Sequence, residues 1–504
     1  MPTAAPHQPT VLAAIDVGTN AVRLELARVG TDGMLEVLHQ ERDPIRPGEG
    51  VFKTGEIAKP VADRLVATMR RYAALCRRHH AVVKAVATSA VREARNREEI
   101  LARVQREAGI TLEAISGKEE ARLICLGVLQ GRPRDKRAVL IDIGGGSTEV
   151  VTAEGERPTN LWSLQLGAVR VTDLFSASGR VTPQQLTLMR KHVSEVANKM
   201  LPRRMNGLPK MARGSSGTIN AVVAFAAEEG AAHVKVDALG RAVDQLAAMT
   251  PSQRRKHFDP QRADIVLGGA VVLEMVARHL KLDAVAAVSR GLRDGILLDL
   301  LRRSVVGYED RDLPETALAM ARRFGTDEPH TRQVRALALS LFDQLAKLHK
   351  LPISTRPYLE VAAVLHDIGN AVSYERHHKH SYYLIHHADL PGLTDREREL
   401  VARVARYHRR ADPEVNHSGM SGLEPGEIRT VRRLATLLRV ADALDRSHRQ
   451  PVQELVVRSQ PAAITLRLHP SEEGALDLEL WNVEKERALF KRVFCKQLNV
   501  TVVG

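Results

Sequence analysis

The chain has 504 residues, and its 74 Lys and Arg against 60 Asp and Glu give a formal net charge of +14. At roughly 150 residues per domain, this length predicts about three domains. The positive charge favours an anionic partner: nucleic acid, an acidic membrane or a polyphosphorylated substrate. Aromatic residues form only 3% of the chain, which disfavours nucleic acid because single-strand binders stack bases on aromatic rings. The composition excludes a disordered chain and a small disulfide-stapled domain.

Three widely spaced cysteines, Cys76, Cys125 and Cys495, form no CxxC pair, so a disulfide framework is not expected. The first nine residues lack the charged and apolar pattern of a secretory signal. No run of about 18 apolar residues appears, which disfavours a transmembrane helix. We therefore expect a cytoplasmic protein without membrane association.

From the start of the chain to about residue 300, short apolar runs alternate with longer segments whose apolar residues recur at helical spacing. The predicted strands are Val11–Ile15, Ala21–Ala27, Ala81–Ala87, Ala138–Ile143, Val150–Ala153 and Ala284–Val288. The predicted helices are Val61–Cys76, Arg97–Ala108, Lys118–Val128, Pro183–Met200, Ile219–Ala227 and Ala270–Leu280. Strands interleaved with helices of this length are typical of α/β architecture.

One pattern occurs twice in this region. Residues 13–20 read AAIDVGTN, and residues 140–148 read LIDIGGGST. Each places an apolar strand before Asp-x-Gly, then a loop of small residues and another apolar run. The repetition predicts two related lobes, each contributing one loop to a shared cleft.

The composition changes near residue 305. From Arg311 to His448 the chain is rich in histidine and reads as mostly helical, with amphipathic stretches at Gln333–His349 and Glu397–Arg406. Beyond this region the periodicity becomes two, which predicts a small β segment with strands at Val452–Val456, Ile464–Leu468 and Leu476–Leu480. These changes predict domains over residues 1–130, 131–308, 309–450 and 451–504.

The strongest local signal is the loop Asp142-Ile-Gly-Gly-Gly-Ser-Thr-Glu149. Its three glycines permit close backbone approach to a ligand, and consecutive N–H groups in such a turn form a nest for phosphate oxygens. The hydroxyls of Ser147 and Thr148 are further candidate donors. Because the loop lies between two predicted strands, it matches neither a Walker A loop nor a dinucleotide-binding loop. An ordinary Gly-rich hairpin is the alternative interpretation.

Asp142 and Glu149 lie at the two ends of this loop, where bare carboxylates would repel a bound phosphate. A divalent cation between them removes the repulsion, since Mg²⁺ binds through one or two carboxylates plus phosphate oxygens. Asp16 holds the corresponding position in the first loop. The alternative is that each Asp only accepts hydrogen bonds from its own turn.

A third stretch, Arg213-Gly-Ser-Ser-Gly-Thr-Ile-Asn220, runs directly into a predicted helix. The unpaired N–H groups at a helix N-terminus form a candidate anion site, and an ordinary capped helix is the alternative. Gly268 and Gly269, before Ala270–Leu280, form a weaker fourth candidate.

A candidate base lies in Ser116-Gly-Lys-Glu-Glu-Ala-Arg122, which begins a predicted helix. Ser116 is a candidate N-cap, and Glu119 and Glu120 fall in the first turn. Acids at a helix start are common stabilisers, so spacing alone does not distinguish Glu120 as catalytic.

These motifs, in this order, resemble the exopolyphosphatase / guanosine pentaphosphate phosphohydrolase (Ppx/GppA) family, within the acetate-kinase, sugar-kinase, heat-shock-protein-70 and actin superfamily. The resemblance runs from Val11 to about Leu301 through IDVGTN, TSAVREARN at Thr88–Asn96, SGKEEARLI at Ser116–Ile124, DIGGGSTE, GSSGT and SRGLRDG at Ser289–Gly295. It implies two actin-like, RNase H-like lobes around a cleft, over residues 1–130 and 131–308, and a homodimer.

The resemblance also implies a phosphohydrolase that uses Mg²⁺ or Mn²⁺ and acts on the end of a phosphoanhydride chain. Glu120 matches the general base that activates water, and Arg92 matches an arginine near the phosphates. Asp142 and Glu149 match the metal-associated acids, with Asp16 as a third candidate. The phosphate-binding positions are Gly18, Thr19, Asn20, Gly144, Gly145, Gly146, Ser147, Ser216, Gly217 and Thr218. Ala21 departs from the family, where many members carry Ser, which removes one hydroxyl contact.

In the helical region, Leu365-His-Asp-Ile-Gly369 places His366 and Asp367 side by side. With His330 upstream and Asp442 downstream, the order resembles HD-type metal-dependent phosphohydrolases, in which imidazoles and carboxylates bind a divalent metal. These four residues are candidate ligands of an additional metal, and His380 and His408 would enlarge the set. Asn370 replaces the Lys of many HD enzymes. An HD-like domain that serves only as a scaffold is the alternative.

Basic residues near this motif predict a track for a long polyanion: His378, Lys379, His380, Arg409 and Arg410. A solvated basic face is the alternative interpretation, because most charge runs are solvent-exposed surfaces.

The leading hypothesis is an exopolyphosphatase that releases orthophosphate from inorganic polyphosphate, with guanosine pentaphosphate (pppGpp) as a candidate second substrate. Alternatives are a pppGpp phosphohydrolase, an ATP-dependent kinase of the same superfamily, a polyphosphate or alarmone sensor, and a nucleotide phosphohydrolase acting through the HD-like region. Polyphosphate and pppGpp both present a terminal phosphoanhydride, so the sequence leaves the choice between them open.

Overall fold

The computed structural model describes residues 10–30, 33–202, 207–228, 231–303, 313–471 and 476–503. The chain divides into two compact units, Met1–Val305 and Val306–Gly504, which are described separately. The four domain boundaries proposed from sequence stay predictions. Within the described ranges, no helix combines the length and apolar character that a membrane span requires.

The first unit contains two mixed sheets that repeat one strand order. The first sheet has the order β3-β2-β1-β4-β5 and comprises β1 (Val11–Val17), β2 (Val22–Val29), β3 (Leu35–Asp43), β4 (Val82–Ala87) and β5 (Leu112–Ala114). The second has the order β10-β11-β9-β6-β7-β8 and comprises β6 (Arg137–Ile143), β7 (Thr148–Glu154), β8 (Arg157–Leu164), β9 (Met211–Ser215), β10 (His233–Lys235) and β11 (Ala284–Ala287).

In both sheets, three antiparallel strands joined in sequence are followed by two parallel strands, and the second sheet adds β10 as an antiparallel edge strand. Strand β1 pairs antiparallel with β2 and parallel with β4, and β6 pairs antiparallel with β7 and parallel with β9. The repeated topology confirms the prediction of two related lobes.

Helices pack against these sheets. They are α1 (Val51–Thr54), α2 (Lys59–Arg78), α3 (Ser89–Glu93), α4 (Arg97–Ala108), α5 (Gly117–Leu129), α6 (Ala168–Phe175), α7 (Pro183–Met200), α8 (Gly217–Ala226), α9 (Val236–Ala248), α10 (Pro251–Arg254), α11 (Pro260–Ala263), α12 (Val266–His279) and α13 (Leu292–Leu301). Each of the six strands predicted from sequence overlaps an observed strand.

The prediction of a fourth loop at Gly268 and Gly269 is wrong, because both glycines lie inside α12. A Cβ on Gly268 would approach the Ala168 carbonyl oxygen to 2.7 Å, and one on Gly269 would approach Thr218 Cγ2 to 2.2 Å. The two glycines therefore permit close packing of α12 against its neighbours. The sequence pattern of small residues is the same for a loop and for such a contact.

Helices α5 and α13 connect the cores of the two sheets. Leu123 of α5 and Ile296 of α13 share one buried cluster with Leu12 of β1, whereas Ile124 of α5 packs in a cluster with strands of the second sheet. A Cβ on Gly295 would lie 1.8 Å from the Leu123 carbonyl oxygen, so only glycine permits this helix contact. The packing holds the start of α5 at the junction of the lobes.

A buried ion network reinforces this junction. Arg122 donates two hydrogen bonds of 2.8 Å to Glu119 and one of 2.8 Å to Asp299, and Lys84 donates one of 2.9 Å to Asp299. Burial alone would raise the pKa of Asp299, but Arg122, Lys84 and Arg303 hold it well below its ordinary value. The network therefore ties β4, α5 and α13 together through charges that are paired inside the unit.

We expect Asp299→Asn to lower the free energy of unfolding by about 3 kcal/mol near neutral pH, because it leaves buried cations unpaired. Since the folded-state pKa of Asp299 is depressed, its stabilisation is present above the unfolded-state value of about 4 and is lost as pH falls below it. Denaturation measured from pH 7 to pH 2 should give a smaller pH dependence for Asp299→Asn than for the wild type. The exposed Asp135 provides the control Asp135→Asn, and equal pH dependence in all three proteins would contradict the prediction.

The second unit is helical, with a small sheet near its end. It comprises α14 (Leu313–Arg323), α15 (Glu328–Gln344), α16 (Ala346–His349), α17 (Arg356–Leu365), α18 (His377–His386), α19 (Asp395–Arg406), α20 (Pro425–Ala443), β12 (Val452–Ser459), β13 (Ala463–Pro470), α21 (Asp477–Phe494) and β14 (Gln497–Val502). The sheet order is β12-β13-β14. The predicted helical region and small β-containing segment are confirmed, whereas the HD-like resemblance stays a prediction.

The strand predicted at Leu476–Leu480 is wrong, because the segment forms the start of α21. Leu476 and Val483 join the core of the second unit, with Leu480 packed against it, at the spacing of three to four residues that a helix buries on one face. Five residues of alternating polarity are too few to separate a strand from a helix end.

Candidate active site

A cleft of about 310 Å³ lies between the two sheets of the first unit, at the lower end of the range for small-molecule sites. Eleven of the residues predicted from sequence line it: Asp16, Gly18, Thr19, Asn20, Glu120, Asp142, Gly144, Gly145, Ser216, Gly217 and Thr218. Four others, Gly146, Ser147, Glu149 and Arg92, are not part of the lining, and of these Gly146, Ser147 and Glu149 are buried. The structure thus brings the three predicted loops and the candidate base to one place.

The first two loops close in the same way. The Gly18 N–H donates to the Ala21 carbonyl, and the Gly144 N–H donates to the Ser147 carbonyl, each at 3.0 Å. Both loops therefore form tight turns between antiparallel strands, as the repeated sequence pattern predicted. The N–H groups of Gly18 and Gly144 are used within the turns, so the amides that can meet a ligand belong to the residues that follow.

Helix α6 orients the glycine loop. The carbonyl oxygens of Gly144 and Gly145 accept hydrogen bonds from the first N–H groups of α6, and that of Gly146 accepts one from Arg170 Nε. The C=O of one residue and the N–H of the next point in opposite directions across a trans peptide bond. The N–H groups of Gly145, Gly146 and Ser147 therefore point away from α6. The helix thus presents a row of loop amides to the opposite side, as a phosphate nest requires.

One predicted hydroxyl donor is not free for a ligand. The Thr148 hydroxyl donates to the Leu166 carbonyl at 2.5 Å, and Thr148 is completely buried. Thr148 therefore holds the loop in place rather than contacting phosphate.

The third loop ends in a strained residue. Ser216 has φ +91° and caps α8, where its Oγ accepts a hydrogen bond of 3.3 Å from the Ile219 N–H. A non-glycine residue at positive φ costs free energy and concentrates at functional sites. Together with Gly217 and Thr218, it places the N-terminus of a ten-residue helix at the cleft.

Glu120 lies in the first turn of α5, where Ser116 Oγ accepts a hydrogen bond from the Glu119 N–H at 3.2 Å. Arg92 Nη1 donates both to Glu120 Oε2, at 3.0 Å, and to the Ile115 carbonyl, at 2.9 Å. Burial raises the pKa of Glu120 to about 7, against the opposing charge of Arg92. A carboxyl with this pKa can both accept and release a proton near neutral pH.

Three further carboxylates lie close to Glu120. Asp142 and Glu149 are directly opposite each other on β6 and β7, an unfavourable like-charge pair. Burial, followed by the charge of Glu120 and then that of Asp142, raises the pKa of Glu149, and burial raises that of Asp142 to about 6. Asp16 Oδ1 and Glu149 Oε2 are buried and, within the described residues, accept no hydrogen bond. Carboxylate oxygens of this kind are the ligands that a hard divalent cation takes, although among the described residues the acids of the cleft do not bring three ligand atoms within 4.8 Å of one another.

Five arginines that the sequence interpretation did not single out also line the cleft: Arg23, Arg42, Arg262, Arg290 and Arg293. Strand register places Arg23 directly opposite both Asp16 on β1 and Arg42 on β3. Burial, with Arg23 and Arg262 nearby, lowers the pKa of Arg42. Like charges opposite each other on neighbouring strands are destabilising. Arg23 pairs with Asp16 at 3.2 Å and Arg293 with Glu25 at 3.1 Å, and a bound polyanion would neutralise the remaining positive charge. Only the register of β2 and β3 reveals that Arg23 faces Arg42.

The second unit holds the remaining predicted residues. His330, His366 and Asp442 lie together in one group. Asp367, His377 and His408 form a second group, in which His377 takes the place predicted for His380. The predicted polyanion track is wrong at His378: this residue is buried, and burial, followed by nearby positive charges, lowers its pKa to about 4, so it is neutral. Lys379 and Arg410 are exposed, and His380 and Arg409 are half-buried.

Two lobes of repeated strand order, with loops suited to phosphate and a buried carboxylate in the cleft between them, form an arrangement typical of sites that process phosphoryl groups. Residues 27–304 match the Ppx/GppA phosphatase family, and residues 314–487 match Ppx/GppA phosphatase domain III. The chain therefore belongs to the Ppx/GppA phosphatase family, as its motifs indicated.

Two solved structures agree with this assignment. An exopolyphosphatase-like protein shares 31% identity over 58% of this chain and 98% of its own, with a TM-score of 0.54. An exopolyphosphatase from Cytophaga hutchinsonii shares 26% identity over 59% of this chain and 100% of its own, also with a TM-score of 0.54.

Proposed function

We propose that this protein is an exopolyphosphatase, which hydrolyses the terminal phosphoanhydride bond of inorganic polyphosphate and releases orthophosphate. The observation that carries the proposal is the position of Glu120: a buried carboxylate that lines the same cleft as three loops suited to phosphate. In this role Glu120 takes a proton from water as the water oxygen bonds to the terminal phosphorus. The bond between that phosphorus and the bridging oxygen breaks, and the bridging oxygen leaves with its electron pair on the shortened chain.

The other residues position the reacting groups. Arg92 holds the Glu120 carboxylate through a 3.0 Å hydrogen bond, and the amides of the glycine loop bind the oxygens of the terminal phosphoryl group. Asp142, Glu149 and Asp16 are the proposed ligands of Mg²⁺ or Mn²⁺. Such a cation, when bound, neutralises charge on the phosphate oxygens. Phosphoryl transfer needs mainly positioning and charge neutralisation, and this set of residues supplies both.

The lining of the cleft favours polyphosphate over pppGpp. It carries five arginines, and among the described residues it includes no Phe, Tyr, Trp or His side chain. A repeating anion is matched by several guanidinium groups, whereas recognition of a guanine base commonly uses an aromatic platform. The described lining therefore offers contacts for consecutive phosphates and no aromatic ring on which a base could stack. The homodimer and the cytoplasmic location stay predictions.

The proposal predicts that long polyphosphate outcompetes pppGpp. When the purified chain is offered both at equal concentrations of terminal phosphate with Mg²⁺, we expect most of the orthophosphate to come from polyphosphate. Arg42→Gln should lower kcat/KM for polyphosphate about tenfold, since a hydrogen bond to a charged group contributes about 1.5 kcal/mol. Arg28→Gln, on the exposed part of β2, is the matched control. Preferential turnover of pppGpp would instead identify a guanosine pentaphosphate phosphohydrolase.

A further inference from the structure

The short helix α3 of the first lobe ends in two adjacent charged residues that contact different elements. Arg92, in the last turn of α3, donates a hydrogen bond of 3.0 Å to Glu120, the proposed base. The next residue, Glu93, accepts hydrogen bonds of 2.7 Å on both carboxylate oxygens from Arg170 Nη2. Because Arg170 lies on α6 in the second lobe, α3 contacts both the proposed base and the second lobe.

Arg170 connects this ion pair to the glycine loop. Its Nε donates to the Gly146 carbonyl oxygen at 2.6 Å, while its Nη2 contacts Glu93. Arg170 Cζ lies over the Phe52 ring, 4.0 Å from the ring centre, so stacking as well as hydrogen bonding fixes the plane of the guanidinium. One planar group therefore joins Glu93 to the peptide between Gly146 and Ser147.

The glycine loop packs directly against the first lobe at this point. A Cβ on Gly146 would lie 2.4 Å from both Phe52 Cζ and Ser89 Oγ, and the Ser89 hydroxyl donates to Glu93 Oε1 at 2.7 Å. Arg170 and Glu93 keep only 17% and 28% of their side-chain exposure. Their charge-assisted hydrogen bonds are therefore partly sheltered from water, and such bonds are about twice as strong as neutral ones.

The peptide that Arg170 holds also carries one of the donors of the proposed phosphate site. Its C=O belongs to Gly146 and its N–H to Ser147, and the two groups point in opposite directions. Fixing the carbonyl on Arg170 therefore also fixes the direction of the Ser147 N–H. Since Arg92 on α3 fixes the carboxylate of Glu120, the same short helix contributes to the position of both groups.

We propose that Arg170 and Glu93 are positioning residues, which hold the glycine loop at the distance from Glu120 that hydrolysis requires. This inference rests on the proposed function, because it concerns the alignment of a phosphoryl group with the base that activates water. Neither Arg170 nor Glu93 is part of the cleft lining, so both act on the phosphate only through the loop. Phosphoryl transfer depends mainly on such positioning.

The kinetics of Arg170→Gln on polyphosphate test this role. We expect kcat to fall about 10- to 100-fold, since a displacement of reacting groups near 1 Å costs about 100-fold. KM should stay within about threefold, because the arginines of the cleft still bind the rest of the chain. Glu93→Gln should lower kcat by less, because its amide oxygen still accepts a hydrogen bond. The double variant should be no slower than Arg170→Gln, since residues that act as one unit are not additive.

Arg190 provides a matched control in the second lobe. Its Nε donates to Glu274 Oε2 at 2.8 Å, and its Nη2 donates to the Gly240 carbonyl at 3.4 Å. It therefore joins a carboxylate to a backbone carbonyl, as Arg170 does, but its partners lie on α12 and α9. We expect Arg190→Gln and Arg170→Gln to lower the midpoint of thermal unfolding to a similar extent, with kcat of Arg190→Gln within about twofold of the wild type.

Hydrogen–deuterium exchange without substrate separates this proposal from the proposed function. Amides within Asp142–Glu149 should exchange about tenfold faster in Arg170→Gln than in the wild type, because the loop loses a hydrogen bond to a charged group. Their exchange should be unchanged in Arg190→Gln. Unchanged exchange in Arg170→Gln would overturn the proposal, as would a wild-type kcat or a raised KM alone. A wild type that releases no orthophosphate would contradict the proposed function, whereas exchange would still decide the role of Arg170.

Discussion

Replacing Glu120 by Gln should lower the rate of orthophosphate release from polyphosphate by about 10²- to 10⁴-fold, the usual contribution of a general base. The amide preserves the shape of the side chain and still accepts the hydrogen bond from Arg92, but it cannot take a proton from water. Because the phosphate loops are unchanged, binding of polyphosphate should be retained. Release of orthophosphate and binding of a non-hydrolysed chain are measured on the same preparation.

The control for this prediction is another acid in the first turn of a helix. Glu98 lies in the first turn of α4, as Glu120 does in α5, but its side chain is exposed and is not part of the cleft lining. Glu98→Gln should therefore leave turnover within about twofold, because surface substitutions of this kind have small effects. Retained turnover in Glu120→Gln would show that Glu120 is not the general base.

A second large effect is expected at Gly167, which is not among the residues that line the cleft. A Cβ on this residue would lie 2.3 Å from the Gly145 carbonyl oxygen and 2.5 Å from the Gly146 nitrogen. Its backbone is extended, with φ −146° and ψ 162°, so alanine causes no local strain and acts only through this contact. Gly167→Ala must therefore displace the glycine loop. We expect about a 100-fold loss of turnover, since a displacement near 1 Å costs this much.

Gly179→Ala is the matched control, because a Cβ there meets no atom within 4 Å. The two variants are compared in turnover and in thermal unfolding. Overpacking of this kind costs about 1 to 3 kcal/mol of stability, so Gly167→Ala should remain folded at room temperature. Full activity in Gly167→Ala would show that the loop position is not critical for hydrolysis.

The loops of the cleft were predictable from sequence because their chemistry is local. The Asp-x-Gly pattern occurs twice after apolar strands, and both loops form turns closed by the same hydrogen bond at Gly18 and Gly144. Glu120 was located at the start of a helix from its neighbours, and the family resemblance, rather than spacing, gave it a role. That role stays a prediction until Glu120→Gln is measured.

The features that sequence reasoning missed depend on contacts between distant segments. Gly167 lies 22 residues beyond Gly145 in numbering, with no motif joining them, and the facing of Arg23 and Arg42 follows from strand register. The small residues Gly268 and Gly269 suggested a loop, but they lie inside α12, where they allow it to pack closely against its neighbours. In the second unit, the sequence pattern predicted a group of histidines and aspartates but included His380 instead of His377. Only the fold shows that His377 faces Asp367.

In the proposed reaction, a water molecule activated in the cleft attacks the terminal phosphorus of polyphosphate. Turnover of polyphosphate in ¹⁸O-labelled water, with mass spectrometry of the products, tests it most directly. We expect one ¹⁸O in each released orthophosphate, formation of that product without an acceptor, and its loss in Glu120→Gln. Label in the shortened chain instead, unlabelled orthophosphate, or phosphoryl transfer only to an added acceptor would contradict it.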